Sequence, residues 1–560
     1  MKKKIQGLSV LLLLILVVLA GCSGGANTAA TGEPASTKTN TAAEAAPEEA
    51  PADVEQVITT NLAGGEPYTL DPAFASDTTS YFVIGNLYEG LYTYDKAGKI
   101  VEGAASKVDV SEDGATYTFT IRDNAKWSNG EPVTAKDFEY SWKRVLNPET
   151  AAYDPSSLYY IKGAEEYNTG KGKAEDVGIT AKDDQTLVVQ LKSPLGFFPT
   201  IAVGTPYLPV QQSVVEGDEK WAAEASTIVG NGPYVAKDWK HNEEISLTKN
   251  DQYWDKDAIT MATINFKMVQ DATTYYQMYK TGDLDMILSL PVDTLDQEKS
   301  SPEFLSHPSF SVYTYSFNVE EKPFTNKKIR QAIAYAIDRE VLATNVTKGG
   351  ETPAYGYVPY GITAPSGKDF RDEAPEKYYE FNPDKAKELL AEGLKEEGLT
   401  SLPPVTFKYN TSDKHKKVAE AIQELLKTNL GIEVRLENQE WKTYIDTFKQ
   451  KNFQAARMGW EGNFLDPLGV LAHYTSANSN NFTNWKNADY DKLIETSTYE
   501  LDPAKRFEEL HQAEAILMDE LPIIPIQFSA DTALISPKIK GIVFDTRSNP
   551  DLRFAVRTEQ

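Results

Sequence analysis

The sequence predicts an α/β fold, and three observations carry the prediction. Strand-like and helix-like segments alternate with short connections across residues 405–467, the first half of the chain reads mainly as strands and turns, and helix signals recur through the second half. Alternation of this kind implies parallel strands joined by crossover helices. At roughly 100 to 200 residues per domain, the body that follows the leader holds two to four domains.

At the amino terminus, residues 1–4 are basic, residues 8–20 are almost wholly apolar, and Leu19-Ala20-Gly21-Cys22 closes the run. This is the layout of a secretory signal peptide over residues 1–21. The apolar stretch falls short of the roughly 20 residues a spanning helix needs, so removal rather than retention is expected. Cys22 is the only cysteine among 560 residues and stands where a bacterial lipobox places the thiol that is lipidated. A plain signal peptide with a coincidental cysteine is the alternative. With Cys22 modified no disulfide is available, so the hydrophobic core alone must stabilise the body, which a chain of this length can do.

Residues 22–53 are dominated by Ala, Thr, Glu, Pro, Gly and Ser and contain no aromatic residue. Such a segment buries too little apolar surface to offset its ordering entropy and reads as a disordered tether. Within it, Gly21-Cys22-Ser23-Gly24-Gly25 matches a nucleophile elbow by letter, but the strand and helix that motif requires are missing. The formal net charge of -26 argues against nucleic acid and against adsorption to anionic lipid, so membrane attachment is expected through the lipid on Cys22.

The folded body starts near Val54 and shows no internal repeat. Tyr117-Thr118-Phe119-Thr120-Ile121-Arg122 alternates with period two, and Leu187-Val188-Val189-Gln190-Leu191 follows the turn signal Asp183-Asp184. Asp109-Val110-Ser111-Glu112-Asp113-Gly114 begins like a calcium-binding loop, yet its twelfth position is Thr120 where a bidentate Glu is required, so a hairpin turn is expected. In the second half Asn382 reads as a helix cap with Pro383 at the first helical position, followed by Ala386, Leu389, Leu390 and Leu394. Asp502-Pro503 opens another helix, with Phe507, Leu510, Glu514 and Leu517 along one face.

Across the alternating region, residues 405–409, 433–436 and 454–460 read as strands and residues 416–430 and 441–451 as helices. In open parallel sheets ligands bind beyond the carboxyl ends of the strands. Those ends lead into Asn410-Thr411-Ser412-Asp413, Asn438-Gln439-Glu440-Trp441 and Gly459-Trp460-Glu461-Gly462-Asn463. Polar and aromatic residues gather there, as a binding cleft requires, although solvated loops share that composition.

The inventory for catalysis is thin. The five histidines are scattered, none in H-E-x-x-H or another metal-ligand spacing, and no phosphate-binding glycine loop is present. Carboxylates abound, but nothing singles out the pair a glycosidase needs. No enzymatic activity, cofactor or metal is expected.

The segment Ala125-Lys126-Trp127-Ser128-Asn129-Gly130-Glu131-Pro132-Val133-Thr134-Ala135-Lys136-Asp137-Phe138-Glu139-Tyr140-Ser141-Trp142-Lys143-Arg144 resembles the signature of the family 5 extracellular solute-binding proteins of ABC importers, which bind oligopeptides, dipeptides or nickel. Leu70-Asp71-Pro72, Asn86-Leu87-Tyr88-Glu89-Gly90-Leu91, Asn231-Gly232-Pro233-Tyr234, Pro353-Ala354-Tyr355-Gly356-Tyr357 and Tyr409-Asn410-Thr411-Ser412-Asp413 add to the resemblance, which covers the chain from about Val57 to its end. Asn438-Gln439-Glu440-Trp441-Lys442-Thr443 is similar to the oligopeptide branch in particular.

The resemblance implies a two-lobed periplasmic-binding-protein-like fold (class II, cluster C) with an extra domain in the first lobe. It places the first lobe at residues 54–88, 213–313 and 531–560, the extra domain at 89–212 and the second lobe at 314–530, with two crossing strands between the lobes. The implied role is a lipid-anchored extracytoplasmic subunit, monomeric, that captures an oligopeptide and delivers it to importer permease subunits. The same transport role for a murein or signalling peptide or a nickel complex is the alternative, and an extracellular hydrolase a distant one. Carried over by motif, the main chain at Ser76, Asp77 and Thr78 forms one wall of the site and Gly459, Trp460 and Glu461 the other, while Tyr153 and Trp441 line pockets. Arg457 and His415 match positions that meet ligand carboxylates. Each has a rival reading: Trp441 as core, His415 as a helix-end surface residue, Arg457 in an internal ion pair. Departures from the pattern are Phe448 and Ser316, where relatives carry Arg and Glu, and Asn463, where relatives place the aspartate that pairs with the peptide ammonium. Glu461 and Asp466 are the nearby carboxylates that can substitute.

Overall fold

The computed structural model describes residues 54–374, 377–462, 464–478, 480–544 and 549–559. The leader, Cys22, the tether and Asn463 lie outside the described residues.

The chain enters the body through β1 (Val57–Asn61) and α1 (Thr78–Leu87). Asp77 caps α1 by accepting from the Ser80 amide at 2.9 Å and the Ser80 hydroxyl at 2.6 Å, the role for which a short acidic side chain is preferred. A separate four-stranded sheet follows, built from β2 (Ala105–Val110), β3 (Thr116–Ile121), β4 (Ile179–Ala181) and β5 (Thr186–Gln190) in the order β2-β3-β5-β4. The alternation read in β3 buries Tyr117, Phe119 and Ile121. Its connection to β2 is the expected hairpin: the Asp113 carboxylate accepts from the Ser111 hydroxyl and the Ala115 amide, and Gly114 takes a φ of +68°.

The signature segment supplies α2 (Ala135–Leu146), so the first half of the chain holds more helix than its alternation suggested. The Asp137 carboxylate accepts from both the amide and the hydroxyl of Thr134 at the start of the helix. Phe138 and Trp142 are fully buried, and the Trp142 indole donates to the Tyr207 carbonyl at 2.8 Å. At the far end Arg144 forks onto both oxygens of Asp71 at 3.0 and 2.6 Å, tying this segment to the Leu70-Asp71-Pro72 motif.

The main sheet collects β6 (Tyr234–Lys240), β7 (Glu244–Lys249), β8 (Thr263–Lys267), β9 (Met286–Leu288), β10 (Phe304–Phe317), β11 (Val405–Asn410), β12 (Val434–Gln439), β13 (Ala455–Glu461) and β14 (Ile523–Ile535). Its order is β12-β11-β13-β10-β14-β9-β1-β8-β7-β6, with the short strand Thr352–Pro353 added beside β14. β1 pairs in parallel with β8 and β9 at one end, and β11 pairs in parallel with β12 and β13 at the other. Each parallel region forms the sheet of one lobe. The link between them is β10 and β14, of 14 and 13 residues, which run antiparallel and reach into both lobes. Their register shifts between Pro308, opposite Ala530, and Val312, opposite Phe528. The extra residues at this bulge and a proline that cannot donate interrupt the ladder where the lobes join.

The second lobe follows the alternation closely. Between its strands run α3 (Pro383–Glu397), α4 (Asp413–Leu430) and α5 (Trp441–Lys449), and α6 (Pro503–Glu520) precedes β14. Asn382 caps α3, its side chain accepting from the Lys385 amide at 3.0 Å. α4 starts three residues earlier than its apolar pattern indicated, because its first turn carries the polar residues Asp413, exposed, and Lys414, ion-paired with the buried Glu351. Glu514, the polar member of the apolar face of α6, is fully buried and ion-paired with Arg371. It also accepts from the amides of Tyr357 and Val358 at 2.8 and 2.9 Å.

Candidate functional site

The carboxyl ends of the second-lobe strands form a recess whose chemistry centres on β13. β10 bonds to Gln454 and Gly462 at the two ends of the pairing, Asn318 donating to Gln454 at 3.0 Å and Gly462 donating to Phe310 at 2.9 Å. In an antiparallel ladder every second residue turns its amide and carbonyl toward the partner. Residues 454, 456, 458, 460 and 462 therefore serve β10, and Arg457, Gly459 and Glu461 point their main-chain groups the other way. On that side β11 pairs only as far as Ala456. The Arg457 carbonyl accepts from the Tyr444 hydroxyl, and no strand among the described residues covers the edge at Gly459 and Glu461.

Side chains alternate across the strand, so Arg457, Gly459 and Glu461 share one face with Tyr313 and Tyr315 of β10. The Arg457 guanidinium lies 4.5 Å from the centre of the Tyr313 ring and donates to the Asn410 amide oxygen at 3.2 Å. Among the described residues it makes no ion pair, and its partner is the Asn410 amide oxygen. A side chain at Gly459 would crowd that guanidinium, since a Cβ there would sit 3.0 Å from an Arg457 nitrogen. His415, in the first turn of α4, brings its ring within 5.5 Å of Tyr313. Burial, with the charges of Arg457 and Lys414, drives the His415 pKa far below its usual value, so the imidazole is neutral. Arg457 Nε, His415 Nδ1 and the Tyr315 hydroxyl are buried without a hydrogen-bond partner among the described residues. Orphaned polar groups in one place are costly unless something completes them.

The opposite face of β13 carries Trp460, whose ring packs 4.5 Å from His473 and parallel to Phe482 at 6.2 Å. Burial pulls the His473 imidazole down to about 4. The two departures from the family pattern belong here. Phe448 is buried in an aromatic cluster, stacked on Phe453 at 4.9 Å and edge-on to Phe482 at 4.9 Å, and Ser316 is buried on β10.

Trp441 begins α5 and is 49% exposed, which rules out the core reading, and its ring stacks against Tyr444 at 6.3 Å. In the first lobe Ser76 and Thr78 are exposed, and Asp77 holds an extended backbone while its carboxylate caps α1. Tyr153, 59% exposed, is anchored to this stretch by its amide, which donates to the Ala73 carbonyl at 2.9 Å. It lines a pocket with Ala75, Tyr81, Asp154, Tyr207 and Phe464, the last from the second lobe. Asp466 is not a spare carboxylate: Arg506 holds both its oxygens at 2.9 and 2.7 Å.

The structure therefore gathers His415, Arg457, Gly459, Trp460 and Glu461 at one strand end, and Ser76, Asp77, Thr78 and Tyr153 in the other lobe. Tyr313 and the end of β11 pairing at Ala456 are not legible in the sequence. Two tyrosines at alternating positions were visible in Tyr313-Thr314-Tyr315, but only the pairing of β10 with β13 sets them beside Arg457.

Residues 99–482 match the family model described as bacterial extracellular solute-binding proteins, family 5 Middle. The dipeptide-binding protein of Bacillus subtilis is 42% identical over 490 residues, covering 88% of this chain and 90% of its own. The substrate-binding domain of an oligopeptide ABC transporter from Bacillus anthracis superposes with a TM-score of 0.82 at 32% identity, covering 91% of this chain and all of that one. The Escherichia coli murein tripeptide-binding protein superposes with a TM-score of 0.80 at 32% identity, over 90% of this chain and 99% of that one. Its unliganded open form fits less well, at 0.68 over 90% and 97%.

Proposed function

The chain belongs to family 5 of the bacterial extracellular solute-binding proteins, and from that premise we propose that it captures oligopeptides outside the cytoplasm and hands them to the permease of an ABC importer. Its lobes follow residues 54–88, 213–313 and 531–560 for the first, 89–212 for the extra domain and 314–530 for the second. Lipid on Cys22 holds the monomer at the membrane, and the acidic segment that follows is its tether.

The observation that supports the reading is the edge of β13 beyond Ala456, where β11 stops pairing, beside an arginine that makes no ion pair among the described residues. An extended peptide laid along β13 from Gly459 onward would bond to its main chain as an added strand does. Its carboxyl group would meet Arg457 and His415 and relieve the orphaned donors around Tyr313, an ionic hydrogen bond being the stronger kind. Ser76, Asp77 and Thr78 form the opposing wall, with Tyr153 and Trp441 along the side-chain pockets and Asn463 near the peptide amino terminus. Main-chain recognition makes length and termini matter more than side chains, which water can satisfy in roomy pockets.

Mass spectrometry of the small molecules released when the natively purified protein is denatured tests this directly. Short peptides of mixed sequence are expected. Release of a sugar, a nickel chelate or a single murein fragment in their place would overturn the oligopeptide reading.

A further inference from the structure

The two lobes also meet at Phe197, which is not among the groups assigned to the peptide, although its partner Phe464 borders the Tyr153 pocket. Phe197, between β5 and β6, stacks on Phe464 just beyond β13, with ring centres 5.5 Å apart and planes inclined by 12°. The guanidinium of Arg506 on α6 lies over the same Phe197 ring at 4.5 Å while its nitrogens clasp Asp466. The Asp466 amide in turn donates to the Phe464 carbonyl at 2.9 Å. One cation thus braces the loop that presents Phe464 and covers the ring on which Phe464 stacks.

The two sides of this contact are held unequally. Residues 89–212 are bound to the first lobe by the Arg144–Asp71 fork and by main-chain bonds, Tyr153 to Ala73 at 2.9 Å and Ser128 to Gly230 at 2.8 Å. Against the second lobe the contact at Phe197 is side-chain stacking, which parts without unfolding anything. A rotation about the bulge in β10 and β14 would leave the first set intact and separate the second.

We propose that Phe197, Phe464 and Arg506 form a closure latch, in which the extra domain grips the second lobe and raises the population of the closed form whether or not a ligand is present. The peptide reading supplies only the choice of ligand. A ligand retained by the closed form has an apparent affinity that scales with the fraction of protein closed. Stacking on Phe197 is the same for every ligand, so its loss weakens all of them by one common factor. A side chain that lined a ligand pocket would instead discriminate among them.

The test uses the mature chain carrying Cys22→Ser, with spin labels on Lys171→Cys and Lys492→Cys, two exposed positions on either side of the contact. In ligand-stripped protein, Phe197→Ala is expected to lengthen the distance between labels, with Phe197→Leu intermediate. Dissociation constants for a tri-, a tetra- and a pentapeptide of different charge should all rise by the same factor, roughly tenfold, and mainly through faster release. Adding Phe464→Ala to Phe197→Ala should cost little more, because both remove one contact. Unchanged distances in the stripped protein overturn the latch even if no peptide binds at all, and a loss of affinity that varies from peptide to peptide overturns it by making Phe197 a pocket residue. Failure of the native protein to bind any peptide while the distances respond would count against the ligand assignment alone.

Discussion

Arg457 lies 4.5 Å over the ring of Tyr313 and makes no ion pair among the described residues. A half-buried guanidinium in this setting has its stem packed and its charge unspent, which is how a site waits for a carboxylate. Arg457→Met should therefore weaken a tetrapeptide with a free carboxyl terminus by about 10- to 100-fold, in line with the roughly 1.5 to 3 kcal/mol of a charged hydrogen bond. The carboxyl-amidated peptide should bind native and variant protein alike. Equal losses for both peptides, measured by titration calorimetry, would move the carboxylate elsewhere.

At the other end of the peptide the expected aspartate is replaced by Asn463, and Asp466 is committed to Arg506. That pairing withdraws Asp466 from the ammonium and makes Glu461 the carboxylate to test. The native protein should bind free and acetylated tetrapeptides with near-equal affinity, and Asn463→Asp should create a preference for the free amine. If the native protein already rejects the acetylated peptide by roughly tenfold, about 1.4 kcal/mol, and Glu461→Gln abolishes that preference, Glu461 is the ammonium partner.

Much of this was legible in the sequence, and the failures are instructive. The second-lobe strands and helices could be placed because their apolar residues repeat at clean periods and Asn382-Pro383 and Asp502-Pro503 punctuate them. α2 was not read in advance because its buried face is made of scattered aromatic residues, Phe138 and Trp142, anchored on residues far away in the chain. Arg457 and His415 stood out by residue type and family pattern. The bare edge of β13 did not, since it depends on where β11 stops pairing, a property of two strands separated by some fifty residues.

Glu514 illustrates a polar residue on an apolar face that periodicity alone treats as an anomaly. Burial acts to raise its pKa, but the Arg371 charge and four hydrogen bonds outweigh that and leave it below the usual carboxylate value. A carboxylate whose folded pKa is depressed contributes stability above its unfolded pKa, near 4.5 here, and loses it as pH falls through the lower folded value. Glu514→Gln should cost about 3 to 5 kcal/mol at neutral pH by leaving Arg371 buried and unpaired. Denaturant unfolding should show the variant's deficit shrinking below pH 4.5. A deficit that persists undiminished in acid would mean the charge of Glu514 is not what is lost.

The proposed membrane anchor is a lipid on Cys22. Cys22→Ser should release the protein into the medium with peptide affinity unchanged, because the site lies wholly in the body after residue 54. Membrane fractionation with a binding assay on the released protein measures both, and a variant that stays in the membrane fraction would remove the lipid from the anchor.

The central claim is that the uncovered strand edge and Arg457 receive an extended peptide. Protein unfolded, stripped and refolded should be titrated in a calorimeter with a tetrapeptide, a disaccharide and nickel chloride, and melted in the presence of each. Saturable binding and a raised melting temperature are expected with the tetrapeptide alone, as mass action requires for a ligand of the folded state. Binding of the sugar or the metal with no response to peptide would contradict it.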